Sequence, residues 1–201
     1  MKRQFELSVA AAPKKPTKAE LAAAVHRTVP DLIAPGLRVL FCGINPGLYT
    51  AAVGHHFGRP GNRFWPALLG ANFTPRLFAP WEEQELLPLG LGITNMVART
   101  TATAAELSAQ EYVVGGARLA QLAARIQPRV IAFLGIGAYR VAFNRPKAAL
   151  GLQLEQLGDT ALWVLPSPSG LNANHQLADL VLLLRELQQW VQRLPPVAGT
   201  Q

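Results

Sequence analysis

Three short apolar runs divide the chain, and each is broken off by glycine or proline. Leu37 to Cys42 stops at Gly43-Ile44-Asn45-Pro46-Gly47, Val130 to Leu134 stops at Gly135, and Leu162 to Leu165 stops at Pro166-Ser167-Pro168-Ser169-Gly170-Leu171. Apolar runs of this length, bounded by turn formers, predict buried strands. Gly92 to Val97 is a weaker candidate for a further strand or strand end. Between these runs the apolar spacing changes to three and four. Ser108 and Glu111 form a capping box ahead of Val113 to Ile126, where Leu119, Leu122 and Ile126 share a face. Ile136 to Phe143 predicts a helix. His175 to Leu194 predicts the last one, with Leu177, Leu180, Val181, Leu184, Leu187 and Val191 along one side. Strands alternating with helices predict an α/β sandwich with a mostly parallel sheet.

The intervening segments are less regular. Thr17 and Glu20 form a capping box, which predicts a short helix from Lys18 to about Thr28, ended by Pro30. Leu48 to Gly61 is expected to be a long loop, more often functional than idle at that length. Asn62 is a candidate N-cap for a helix opening at Phe64-Trp65, with Pro66 tolerated in its first turn. Residues 71–92 carry Pro75, Pro80 and Pro88 as breaks, with a short helix expected over Trp81 to Leu87. No internal repeat is apparent, and nothing marks a boundary after residue 31. The expected organisation is a basic, flexible arm over residues 1–30 and a single α/β domain over 31–201.

Charge sharpens that division. The chain of 201 residues has a formal net charge of +7. Residues 1–30 carry Lys2, Arg3, Lys14, Lys15, Lys18 and Arg27 against Glu6 and Glu20, a balance of +4; the rest balances at +3, with Lys147 its only lysine. Basic arms supply sequence-independent attraction to phosphates, and they also serve as solvated tails; charge alone leaves both open. No run approaches a membrane span, no secretory leader is evident, and the single cysteine, Cys42, excludes an intrachain disulfide framework. The expectation is a soluble protein of a reducing compartment, without a membrane partner.

Two strand ends carry the candidate chemistry. In the first, Pro46 favours extended backbone at Asn45, and Gly43 and Gly47 permit close approach. The turn therefore presents one uncharged amide and several backbone N–H groups. Alone, Asn45 reads as an Asx-turn stabiliser before proline. The second is the Ser167 to Leu171 loop, which a parallel sheet places at the same edge. There is no phosphate loop, zinc-protease motif or nucleophile elbow. The adjacent His55 and His56 favour structural or exposed loop roles over metal ligation.

Taken in order, Gly43-Ile44-Asn45-Pro46-Gly47, Gly58-Arg59-Pro60-Gly61-Asn62-Arg63-Phe64-Trp65, Thr94-Asn95-Met96-Val97 and Pro166-Ser167-Pro168-Ser169-Gly170-Leu171 resemble the mismatch-specific uracil/thymine DNA glycosylase family. That family lies within the uracil-DNA glycosylase superfamily, and the likeness spans about Asp31 to Leu194. The resemblance implies a three-layer α/β/α sandwich and a monomer that needs no metal or cofactor. Its partner would be double-stranded DNA with uracil or thymine opposite guanine, and its place the bacterial cytoplasm, working at the nucleoid. By that resemblance, Asn45 holds the attacking water, and backbone N–H groups of Ile44 and Gly47 stabilise the departing base. Phe57 stacks on the flipped base. Asn95 contacts its far edge, or else caps the strand end. Thr50 lies near the pyrimidine C5 position, which favours uracil over thymine.

The same resemblance makes Gly170-Leu171-Asn172 the wedge entering the duplex, with Ser167 and Ser169 as phosphate or backbone contacts. Asn62, Arg63 and Trp65 are expected to be helix cap, surface contact and core. Two positions depart from some relatives: Ala173 replaces an arginine and Ser167 an asparagine. Faster uracil glycosylases pair an aspartate in the water-binding turn with a histidine in the wedge loop, and this chain has neither. The expected activity is monofunctional hydrolysis of the N-glycosidic bond, without a lyase step. A non-catalytic binder of mismatched or abasic DNA is the alternative, and an α/β domain for a nucleotide or other small ligand is a third.

Overall fold

Successive residues of a strand point to opposite sides, and here both sides are apolar. Val39, Phe41, Ile93, Ala132, Trp163 and Leu165 pack into one buried cluster; Leu40, Cys42, Ile131, Phe133, Leu162 and Val164 pack into another. A sheet apolar on both faces has to be covered twice, and that requirement gives the layered fold. The computed structural model describes residues 12–25 and 27–195. The first eleven residues, which include Lys2 and Arg3 of the basic arm, lie outside them.

The strands are β1 (Val39–Gly43), β2 (Leu91–Asn95), β3 (Val130–Leu134), β4 (Gly151–Leu157) and β5 (Thr160–Leu165). They form one five-stranded sheet in the order β2-β1-β3-β5-β4. β1 pairs in parallel with β2 and β3, and β3 in parallel with β5; only β4 runs antiparallel, against β5. The helices are α1 (Lys18–Ala22), α2 (Leu48–Val53), α3 (Phe64–Gly70), α4 (Ala109–Ile126), α5 (Ile136–Ala142) and α6 (Leu177–Arg193). Residues of α3 and α6 enter the first cluster, and residues of α4 and α5 the second. The fold is a three-layer α/β/α sandwich on a mostly parallel sheet, as expected. None of the described helices is long and apolar enough to cross a membrane.

Several expectations change in detail. Leu48 to Gly61 does not begin as loop: Gly47 caps α2 with extended backbone, and Gly54 ends it in the left-handed conformation at φ 75°. Trp81 to Leu87 lies inside a longer 3-10 segment, Pro80–Leu89. The last long helix but one starts directly after its Ser108 cap, at Ala109, and not at Val113.

The edge strand β4 has no counterpart in the pattern, because two of its three leucines point away from the core. Leu152 and Leu154 face solvent, while Glu155 turns inward to accept from Tyr139 Oη at 2.8 Å and to pair with Arg145 at 3.0 Å. Near the N-terminus, α1 stops at Ala22, short of Thr28. Ala24 and Val29 are then buried against Ala51 of α2. Leu32 exchanges two 2.8 Å backbone hydrogen bonds with Ile93.

Candidate active site

The parallel strands bring four carboxyl ends to one edge of the sheet. β1 and β3 are neighbours, and the chain runs on from β1 to β2 on one side and from β3 to β4 and β5 on the other, the arrangement that opens a ligand crevice in α/β sheets. A cavity of about 280 Å³ lies there. It is lined by Ile44, Asn45, Gly47, Thr50, Phe57 and Asn95, and across from them by Ser167, Ser169 and Leu171. Gly170 and Asn172 belong to the same loop but do not line the cavity. A larger cavity of about 420 Å³ shares Phe57, Arg59 and Asn62 with it, yet contains no strand-end residue and is walled by Trp65, Phe78 and Trp81.

Asn45 is held through one end of its amide. Its Nδ2 donates to the Arg99 carbonyl at 2.9 Å and to Thr101 Oγ1 at 2.7 Å. A carbonyl oxygen only accepts, so the nitrogen has to face Arg99, and Oδ1 is left as the acceptor. The holding segment is itself fastened. Arg99 grips Glu111 with Nε at 2.7 Å and a terminal nitrogen at 3.2 Å. Thr101 N–H donates to the Pro46 carbonyl at 3.2 Å. The Arg99 hydrogen bond, with the backbone N–H of Ser108 adding to it, holds the Glu111 carboxyl well below its usual range, at about 2.

Asn95 ends β2 and is buried. His56 Nε2 lies 2.9 Å from the Pro30 carbonyl, so that nitrogen carries the proton and Nδ1 is the ring acceptor. Asn95 Nδ2 faces Nδ1 at 3.5 Å, the outer limit of a hydrogen bond. Its Oδ1 lies over Gly43, where a Cβ would sit 2.6 Å away; only glycine leaves room for the amide. From behind, Arg118 donates to the Asn95 carbonyl, to Thr94 Oγ1 at 3.0 Å and to Asp31 at 3.1 Å. Thr94 Oγ1 donates in turn to Asp31 at 2.7 Å.

Phe57 adopts φ 52°, a left-handed conformation that costs a non-glycine residue about 1–2 kcal/mol. Its ring stacks on Phe64 at 4.0 Å between centroids, with 28° between planes. Glu83 holds the backbone just before it, accepting from His56 N–H at 2.8 Å and meeting His55 Nδ1 at 3.0 Å. Both histidines are thus tied to other parts of the chain, His55 to Glu83 and His56 to Glu83 and Pro30, and His56 also lines the cavity. Among the described residues no group of three or more His, Cys, Asp and Glu is arranged to hold a metal ion.

In the second loop, Ser167 Oγ accepts from Ser169 N–H and Ser169 Oγ from Leu171 N–H, both at 3.3 Å. Asn172 Nδ2 donates to the Ser167 carbonyl at 3.0 Å. Leu171 projects from this bonded turn with 72% of its surface exposed. Asn62 is not the N-cap expected: Arg63 holds that position, and Asn62, one residue earlier, accepts Phe64 N–H through Oδ1 at 2.9 Å, while Trp65 is core as expected. Arg63 is not the surface contact expected of it: its guanidinium donates to the Gly170, Asn172 and His175 carbonyls.

Thr101, His56, Glu83 and Arg118 were not signalled by sequence spacing. Each acts through a partner at least 23 positions away. The acidic residues near the site are accounted for elsewhere. Glu83 braces the histidines, Glu82 pairs with Arg76 at 2.9 Å, and neither they nor Glu85 line the Asn45 cavity. A family model for the Uracil DNA glycosylase superfamily matches residues 30–191, all four strand ends and both loops included. The chain therefore belongs to that superfamily, as a DNA glycosylase: a hydrolase of DNA repair whose substrate base is uracil.

Proposed function

We propose that the protein is a monofunctional, mismatch-directed glycosylase. It flips uracil, and less readily thymine or a modified pyrimidine, out of a pair with guanine in double-stranded DNA. A base within the stack is out of reach, and a site at the bottom of a cleft requires its extrusion. The observation carrying this reading is the amide of Asn45, tied down at nitrogen with its oxygen left over, in a cavity whose described lining holds no carboxylate and no lysine.

Oδ1 of Asn45 accepts one hydrogen of a water and aims its oxygen at C1′. As the N-glycosidic bond breaks, its electron pair leaves with uracil N1. The water oxygen bonds to C1′ and its proton passes to solvent, leaving an abasic site and free base. Because an amide is a weak base, Asn45 positions the water more than it activates it, and turnover is slow. Backbone N–H groups at Ile44 and Gly47 take up the negative charge growing on the base. With no lysine among the lining residues, no Schiff base forms and the strand is not nicked.

Base choice follows from Asn95. Its Oδ1 accepts from uracil N3–H, and the second hydrogen on Nδ2 reaches O4. Cytosine offers a lone pair at N3, which meets Oδ1 with repulsion. Thr50, buried one helical turn after Gly47, crowds a C5 methyl. Leu171 fills the space left in the stack, and the basic groups of residues 1–30 add sequence-independent attraction to the backbone. The test is a time course on G·U, A·U, G·T and single-stranded uracil DNA, read as alkaline cleavage of abasic sites. G·U is expected to be cut fastest. Duplex binding without release of free uracil would leave a mismatch-binding protein instead.

A further inference from the structure

The guanidinium of Arg63 is spent entirely on one loop. One terminal nitrogen donates to the His175 carbonyl, and the other donates to the Gly170 carbonyl at 3.2 Å and the Asn172 carbonyl at 3.1 Å. Its own backbone N–H donates to the Pro168 carbonyl at 2.9 Å. On the same side the chain packs backbone to backbone: a Cβ on Gly170 would lie 2.7 Å from the Gly61 carbonyl oxygen. Four carbonyls spread over residues 168–175 are thus gathered by a single residue at the start of α3.

The segment doing the gathering also carries Phe57 six residues earlier, held by Glu83 through the His56 backbone and stacked on Phe64. The loop it gathers presents Leu171, whose side chain is largely exposed to solvent. An exposed leucine at a loop tip is aimed by its backbone, which here is bonded within the turn by Ser167, Ser169 and Asn172 and tied to the start of α3 by Arg63. Three of the five guanidinium N–H donors are thus committed to that loop.

We infer that Arg63 is a positioning residue that fixes the wedge at Leu171 relative to the stacking ring of Phe57, so that entry into the duplex and capture of the flipped base occur as one rigid-body event. This rests on the function proposed above. Arginine is the suitable residue because its planar fork reaches several acceptors at once; a lysine ammonium at the same place reaches fewer.

The test uses Arg63→Lys and Arg63→Met in the full chain. On G·U duplex the single-turnover rate is expected to fall about tenfold for Met, which removes all three side-chain hydrogen bonds to the loop, and less for Lys, which keeps the charge and part of the bonding. A 2-aminopurine beside the uracil brightens when its neighbour leaves the stack, and its amplitude is expected to fall with the rate. In a Leu171→Ala background, Arg63→Met is expected to add less than about twofold, since the wedge it aims is gone. An unchanged rate, a reduced rate with full 2-aminopurine amplitude, or fully additive losses with Leu171→Ala would each overturn the inference. Failure of the unmodified protein to release uracil from G·U duplex is a separate outcome: it overturns the proposed function and the inference with it.

Discussion

Asn45 and Asn95 bring the same side chain into the same cavity, and the protein treats them differently. Asn45 is clamped at nitrogen by two short hydrogen bonds, 2.9 and 2.7 Å, to a segment that is itself bolted by an ion pair. Asn95 is held mainly by shape and backbone. Gly43 makes the room and Arg118 fixes the carbonyl, while the side chain has only one long contact, 3.5 Å, to His56. An amide that must aim a water at one carbon needs rigid geometry. One that reads a base edge keeps its second N–H and its oxygen for the ligand. Under the function proposed above, the same residue type would divide into a water holder and a base reader according to which atoms its neighbours occupy.

Four substitutions would break or sharpen that contrast, in falling order of effect. Asn45→Ala removes the water's acceptor, and the single-turnover rate on G·U duplex should fall about 10²-fold or more, with binding in a gel-shift assay nearly unchanged. A loss confined to binding would move Asn45 out of the chemistry. Next, Asn95→Ala should lower kcat/KM for uracil by about tenfold to a hundredfold and narrow the preference over cytosine, because two hydrogen bonds to the base are gone. An unaltered preference would make Asn95 a strand cap only. Thr101→Val keeps the shape but drops one of the two anchors of Asn45; a fall of about fivefold in rate at unchanged binding is expected.

The smallest effect is that of Glu111→Gln. A carboxyl depressed in the folded state contributes stability above its usual value of 4.5 and loses that contribution as pH falls through about 2. Thermal midpoints of the two proteins should therefore differ at neutral pH and converge between about pH 4 and pH 2. Being exposed, the pair is screened by salt, and the difference should shrink in high ionic strength. A constant offset across that range would assign the effect to the Ser108 cap alone.

The layered sheet and most helices could be read from sequence, because burial on both faces demands unbroken apolar runs and because Ser108-Glu111 and Thr17-Glu20 are local signals. Elements whose stability comes from distant partners could not. The polar inward face of β4 makes sense only beside Tyr139 and Arg145, and α2 is a short helix set by its glycine caps within what composition alone suggests is loop. The cavity shows the same limit. The Asn45 turn and the Leu171 loop announce themselves through glycine and proline. The residues that orient them, Thr101, His56, Arg118 and Arg63, are ordinary in their own neighbourhoods and acquire their meaning only across the fold.

The seam between residues 27 and 32 and the rest of the molecule bears on where the chain tolerates being cut. Pro30 receives the proton-bearing nitrogen of His56, Arg27 accepts from Thr100 Oγ1 next door to the Asn45 anchor, and Asp31 pairs with Arg118. A protease that cuts just ahead of Thr17 spares all three connections and removes Lys2, Arg3, Lys14 and Lys15. A nick after Ala24 severs the buried Ala24–Val29 patch that sits on α2, and the histidine behind the base reader loses its tether. Trimmed at the first place, the protein should differ from the whole chain only in how salt weakens its grip on DNA; trimmed at the second, it should lose its discrimination between bases.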